Sequence, residues 1–228
     1  MRKFAFALLA IFFATVSYAQ DDTAAMTDTT AVQSDAKKFS FGFKANVNFA
    51  SERNAPESRS RTGFAAGFFA EVKLNHRLSL QPELLYSQQG SFQYLYKGVK
   101  TKGDNTLQYD YINLPILLKI YVMQDKLSIE VGPQFGYMVS HKEKREPSRQ
   151  TPRVEKLKKE WMNEFDVSAA IGVSYKCYGP FDIYARYTYG FTDIYKGDIA
   201  GMIEADPQKR YFIDNKNSVI QIGLGARF

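Results

Sequence analysis

From Phe39 onward, apolar residues recur at every second position. Phe39, Phe41, Phe43, Ala45, Val47 and Phe49 alternate with Ser40, Gly42, Lys44, Asn46 and Asn48. Phe64, Ala66, Phe68, Ala70, Val72 and Leu74 repeat the pattern against Gly67, Glu71 and Lys73. A period of two marks a β-strand, whose successive side chains point to opposite faces. Six further stripes begin at Leu78, Ile112, Leu127, Val167, Ile183 and Ile220, the last of them ending on Phe228. Runs of 11 or 12 alternating residues are about twice the usual strand length in a soluble protein. Eight long strands are expected.

The connections between the stripes decide the architecture. Three are short: Asn75-His76-Arg77, Val122 to Lys126, and Lys176 to Pro180 with its Gly179-Pro180 turn signal. Four are long and polar: Ser51 to Arg61, Gly90 to Asn105, Ser140 to Glu164, and Thr192 to Asn217. Long and short alternate strictly, as in an up-and-down meander with every long loop at one end. That is the asymmetry of outer-membrane barrels, with short periplasmic turns and longer external loops. A soluble sandwich is the alternative, because water could solvate the charges on the opposite faces. Three features favour the barrel. The strands are long enough to cross a membrane at a tilt. Aromatic residues gather at stripe ends, as in Tyr187, Tyr189 and Phe191, or Tyr137, Tyr175 and Phe228. Closure also satisfies every backbone group, which hydrocarbon requires. The expected fold is all-β: an eight-stranded antiparallel up-and-down transmembrane β-barrel.

Composition narrows the class further. The 228 residues are 45% apolar and 15% aromatic, with a mean hydropathy of −0.34. Only one long apolar run exists, which excludes a multi-span helical membrane protein. Eighteen Phe and 15 Tyr argue against disorder over most of the chain. The single cysteine, Cys177, excludes an intramolecular disulfide framework and a thiolate-rich metal site. The formal charge of +6 is too mild, in so aromatic a chain, to point to nucleic acid.

The N-terminus carries its own signature. Arg2 and Lys3 precede a 13-residue apolar core from Phe4 to Val16, and Ser17-Tyr18-Ala19 supplies small residues before Gln20. This is the pattern of a cleaved secretory signal peptide over residues 1–19, too short to span a bilayer. A buried N-terminal helix is the alternative. Residues 20–37 are rich in Thr, Ala and Asp without aromatic residues and are expected to be a disordered spacer. The barrel domain is expected over 38–228.

The inward faces carry the informative chemistry. An eight-stranded barrel is just wide enough inside to be filled by its own side chains. Glu71, Glu83 and Glu130 are matched by Lys44, Lys119 and Arg186, with Gln81, Gln134 and Gln221 between them. Buried charges persist when paired and hydrogen-bonded. A salt-bridged, plugged lumen built on those six charged residues is therefore expected. A narrow solute channel would use the same polar lining. Pro82, Pro115 and Pro133 fall inside strands, where each removes a ladder donor, and bulges are expected there.

The loop from His141 to Glu164 holds eight Lys or Arg against five Glu, a net charge of +3. Such a surface suits lipopolysaccharide phosphates, which Arg and Lys bind through charge-assisted hydrogen bonds. A solvated loop without a ligand is the alternative. Within it, Val154, Leu157, Trp161 and Phe165 share a helical stripe, and Thr151 with Pro152 can start a helix. Glu155 lies four residues before Lys159, a favourable spacing. A short amphipathic helix is expected, presenting Lys156, Lys158, Lys159 and Trp161 as a candidate interaction surface. The competing expectation is that Trp161 and Phe165 extend the sixth strand upward.

No catalytic pattern is present. His76 lies in a short turn and His141 opens a basic loop, neither with an acidic partner at metal spacing. There is no nucleophile elbow and no phosphate-binding glycine loop. Asp110, Asp166 and Asp193 fall near the outer rim, where acids are ordinary. Cys177, in a turn, reads as incidental rather than reactive. No catalytic residue, metal or cofactor is expected, and a lipid-directed enzyme is the least favoured class.

Several segments also resemble a known family. Gln81-Pro82-Glu83-Leu84-Leu85-Tyr86-Ser87-Gln88-Gln89-Gly90 resembles the third-strand motif of the outer-membrane β-barrel family that includes PorT-like proteins. Tyr111 to Lys119 resembles its fourth strand, Val131 to Tyr137 its fifth, and Arg186 to Gly190 its seventh. Gly223 to Phe228 is similar to the aromatic C-terminal signal, ending on Phe228, that barrel-insertion machinery reads. The resemblance covers residues 39–228 and implies a fold and an outer-membrane location. It implies little about activity: PorT itself is associated with a secretion system, and no residue here transfers that role specifically. The expected partners are outer-membrane lipid and lipopolysaccharide, the barrel-insertion machinery, and an envelope or secretion-system protein. It implies no catalytic motif. A monomer without nucleic-acid partners is expected.

Overall fold

Strands that alternate apolar with polar or small residues make a sheet whose two faces must meet different surroundings. The computed structural model describes residues 39–53, 58–93, 105–123, 126–145, 162–196 and 215–228. These form β1 (Phe39–Arg53), β2 (Ser58–Lys73), β3 (Leu78–Gln93), β4 (Asn105–Met123), β5 (Leu127–Arg145), β6 (Phe165–Lys176), β7 (Phe181–Asp193) and β8 (Lys216–Arg227). Each strand pairs antiparallel with the next, and β1 pairs with β8 to close the barrel. The fold is the eight-stranded up-and-down barrel that the periodicity predicts. The barrel lies within the compact unit Lys37–Phe228. The expected signal peptide, residues 1–19, and the spacer, residues 20–37, lie outside the described residues.

The apolar stripes face outward. Along β1 exposure alternates without interruption from Phe41 to Ala50. Phe68, Ile171, Ile222 and Leu224 are each more than half exposed. An apolar belt of that extent suits lipid rather than water. Aromatic pairs reinforce it, as where Phe43 meets its cross-strand neighbour Phe68 edge-on at 5.8 Å. Phe228 donates its backbone N–H to the Phe41 carbonyl at 2.8 Å, and their rings lie 5.8 Å apart. The terminal aromatic is thus built into the seam where β8 meets β1.

Three local expectations are corrected. First, the strands run further into the polar segments than alternation shows. Residues Ser140 to Arg145 pair one-for-one with Asp110 to Asn105, although that stretch of β5 reads as loop. Beyond the hydrocarbon both strand faces can be wet, so pairing continues where the apolar stripe stops.

Second, no bulge sits at the prolines. Pro82 faces Ile116, Pro115 faces Gln134 and Pro133 faces Ala169, each in unbroken register with its neighbours. The ladder instead skips pairs near them, such as those between Pro82–Ile116 and Leu85–Asn113, and resumes unshifted. A missing donor deletes a bond without adding a residue, so nothing has to bulge. The register shifts of β2–β3 and β4–β5 fall at Ser60/Ala65, Asp110/Tyr111 and Tyr121/Met123, and that of β7–β8 at Tyr189/Asp193.

Third, the helical stripe does not reach Phe165. Met162 bridges Tyr195, Asn163 donates its backbone N–H to the Ile194 carbonyl at 2.9 Å, and Phe165 opens β6. The remainder of the expected helix, with Lys156, Lys158, Lys159 and Trp161, lies outside the described residues.

Candidate functional site: the lumen and its two ends

Residues two apart on a strand share a face, so inward positions stack into columns that meet in the lumen. β1 contributes Lys44, β3 contributes Gln81 and Glu83, β4 Lys119, β5 Glu130 and β7 Arg186. All six are at most 2% exposed. Arg186 bonds Glu83 through Nη1 to Oε2 and Nη2 to Oε1, each at 2.8 Å. Its Nη2 also reaches Glu130 Oε2 at 2.8 Å. Lys44 Nζ lies 2.8 Å from Glu83 Oε1 and 3.8 Å from Glu130 Oε1. Lys119 Nζ lies 3.4 Å from Glu130 Oε1 and donates to Gln81 Oε1 at 3.2 Å. Three cations therefore share two carboxylates. Gln81 Nε2 adds a bond to Glu83 Oε1 at 2.6 Å, and Lys44 Nζ sits 4.4 Å over the Tyr184 ring. At this depth of burial, such mutual pairing is what offsets the cost of taking the charges out of water.

Glu71, expected in the same network, belongs to a second one nearer the short-turn end. Arg227 Nη2 lies 2.9 Å from its Oε2, Ser79 donates to Oε1 at 2.7 Å, and Tyr121 donates to Oε1 as well. Arg227 Nη2 also reaches Asp182 Oδ2 at 3.4 Å. Residue type alone does not show Arg227, Asp182 and Tyr184 as lumen residues. Strand parity does, since Asp182 and Tyr184 share the inward register of Arg186 and Arg227 that of Gln221.

The loop end of the lumen carries different chemistry. Glu52 accepts hydrogen bonds from Ser91 Oγ at 2.8 Å, Tyr109 OH at 3.2 Å and Asn215 Nδ2 at 3.2 Å. Tyr109 and Tyr195 bond through their hydroxyls at 2.8 Å. Leu107, Tyr111, Met138, Met162 and Ile194 pack with these tyrosines in one buried cluster. The Met162–Tyr195 bridge thus joins the segments that precede β6 and follow β7.

The remaining candidate groups are scattered. His76 is exposed in the β2–β3 turn, whereas His141 stacks on Tyr109 with ring centroids 5.5 Å apart. Asp166 is buried and accepts from Ser168, and Asp193 lies 3.2 Å from Lys216 Nζ. Cys177 is exposed. Among the described residues, no group of three or more His, Cys, Asp or Glu is placed to hold a metal ion. The distinctive arrangement is the charge cluster, and what it can do chemically is hold the walls together and occupy the lumen.

Residues 18–196 match the outer membrane protein beta-barrel domain family. Among solved structures, Ail of Yersinia pestis, in complex with the heparin analogue sucrose octasulfate, is 10% identical. That likeness covers 84% of this chain and 99% of that one, with a TM-score of 0.45. CarO of Acinetobacter baumannii is 11% identical over 81% and 97% of the two chains, with a TM-score of 0.46. OprG of Pseudomonas aeruginosa is 13% identical over 83% and 94%, with a TM-score of 0.37. No curated protein matches the chain.

Proposed function

The chain belongs to the outer membrane protein beta-barrel domain family, and from that premise we propose that it is a non-enzymatic barrel with a side-chain-filled lumen, acting through its external loops. It resides in the outer membrane. The observation that carries the proposal is the cluster of Lys44, Glu83, Lys119, Glu130 and Arg186, fully buried and drawn from five strands. A lumen occupied this way leaves the loop end as the surface on which the protein meets its surroundings. The role is surface interaction or the assembly of an envelope or secretion complex.

A narrow solute channel is the second reading, and one observation favours it. Gln134 Oε1, Thr188 Oγ1 and both side-chain polar atoms of Gln221 are buried without a hydrogen-bond partner in the protein. Such atoms are suited to bridging water. The cluster lies across that polar lining, which is why the plugged lumen is preferred.

Lys156, Lys158, Lys159 and Trp161 are proposed as the surface that meets lipopolysaccharide, with phosphate as the recognised group. Residues 1–19 are proposed to be removed on export, and mass spectrometry of the mature protein should find Gln20 at the N-terminus. The loop proposal is tested with a Lys156→Ala/Lys158→Ala/Lys159→Ala triple variant and with Trp161→Ala. Lipopolysaccharide binding should fall about tenfold for the triple variant, the effect of losing roughly one charge-assisted hydrogen bond. Heat-modifiable gel migration should be unchanged. Undiminished binding by both variants would rule the loop out as the contact surface.

A further inference from the structure

The short-turn end of the lumen opens into a small cavity lined by Lys126, Ser128, Ser174, Lys176, Asp182 and Arg227 among others. The ion-paired charges of the lumen, some of which line this cavity, balance: Lys44, Lys119, Arg186 and Arg227 meet Glu71, Glu83, Glu130 and Asp182. Arg227 is held by Glu71 and Asp182, and Lys119 by Glu130. Neither Lys126 nor Lys176 lies within ion-pair distance of a carboxylate among the described residues.

The ladder places these two lysines against each other. Leu127 faces Tyr175, so Lys126 and Lys176 form the next pair outward, and Lys176 N–H donates to the Lys126 carbonyl at 2.8 Å. Like charges directly opposite across a sheet are destabilising. An anion between them would turn that repulsion into binding. Beside them, Ser128 Oγ and Ser174 Oγ lie 2.7 Å apart, both buried. The two hydroxyls carry two protons and use one between themselves, which leaves the other to donate. Two ammonium groups and a buried hydroxyl proton form a donor set for a tetrahedral oxyanion. Lysine meets such a group as a point charge and so tolerates a mobile arrangement.

We propose that this mouth is a phosphate-binding site formed by Lys126, Lys176 and the Ser128–Ser174 pair, facing the periplasm. In the architecture of outer-membrane barrels the short turns lie on that side. The phosphate is either a free ion or a lipid headgroup, the chemistry being the same. Asp182 stands opposite Lys176 in the β6–β7 ladder. Its charge is shared with Arg227, and it limits how tightly an anion is held.

The test uses the full barrel in a phosphate-free maltoside detergent, titrated with inorganic phosphate and separately with a short-chain phosphatidylglycerol. Saturable binding of at least one is expected, lowered about tenfold or more by Lys126→Gln/Lys176→Gln, in line with the loss of a charge-assisted contact. Binding of the lipid alone would identify the headgroup as the source, and binding of both would identify a general phosphate site. Ser174→Ala, which keeps both lysines, should weaken binding less, while heat-modifiable migration confirms that each variant is folded. Absence of saturable binding by either probe, or binding that the double lysine variant leaves intact, would overturn the proposal.

Discussion

Arg186 on β7 grips Glu83 on β3 with two hydrogen bonds of 2.8 Å each. With eight strands in sequential order, β3 and β7 are diametrically opposed, so the bond ties walls that no ladder bond can join. Ladder hydrogen bonds hold neighbours, whereas this pair holds the cross-section.

Glu83→Ala should therefore be strongly destabilising. It leaves Lys44, Lys119 and Arg186 around the single carboxylate of Glu130, and stranding buried charge costs about 3–5 kcal/mol. The measurement is reversible urea unfolding of the barrel in lipid vesicles. Glu83→Leu combined with Arg186→Leu should cost less than Glu83→Ala, because the apolar pair strands fewer charges. A single variant as stable as wild type would mean that the cluster does not hold the barrel.

The lipid face gives a second expectation. Ile171 lies near the middle of β6, 56% exposed, with Val131 and Tyr187 as its cross-strand neighbours. Ile171→Arg should cost about 2–4 kcal/mol, the penalty for a cation at the bilayer midplane. The same unfolding assay reads it. A cost near zero would place Ile171 away from the hydrocarbon.

Gly90 supplies a third. Its φ of 131° falls where only glycine is at ease, and a Cβ there would come within 2.0 Å of the Leu107 carbonyl oxygen. Gly90→Ala should destabilise by roughly 1–3 kcal/mol through backbone strain, and the contact with the Leu107 carbonyl adds to it. Unfolding midpoints in the same vesicles check this, and an unchanged midpoint would show that β3 can shift at that point.

How far the sequence discloses this depends on which force places a residue. Phe39 to Phe49 and Ile220 to Phe228 declare their phase because lipid lies on one side of them. Ser140 to Arg145 do not, since no apolar stripe marks that stretch and its pairing with β4 shows only in the backbone. The six lumen charges show in strand parity, but their partners do not. Which acid meets which base depends on the stagger between strands, and that stagger takes Glu71 to Arg227 rather than to the central cluster. Arg227 is masked because Gly223 to Phe228 reads first as a terminal signal. Val154, Leu157, Trp161 and Phe165 suggest a helix, yet Phe165 opens β6 and pairs with Tyr137 of β5. Pairing across a sheet overrides a local period there.

Single-channel recording in planar bilayers tests the closed lumen most directly. The purified wild-type barrel should insert without producing discrete, stable openings. Simultaneous Lys44→Ala, Glu83→Ala and Arg186→Ala substitution should create openings in barrels that remain folded by gel migration. Discrete, stable openings by the wild-type barrel would contradict a lumen filled by its own side chains and establish the solute channel in its place.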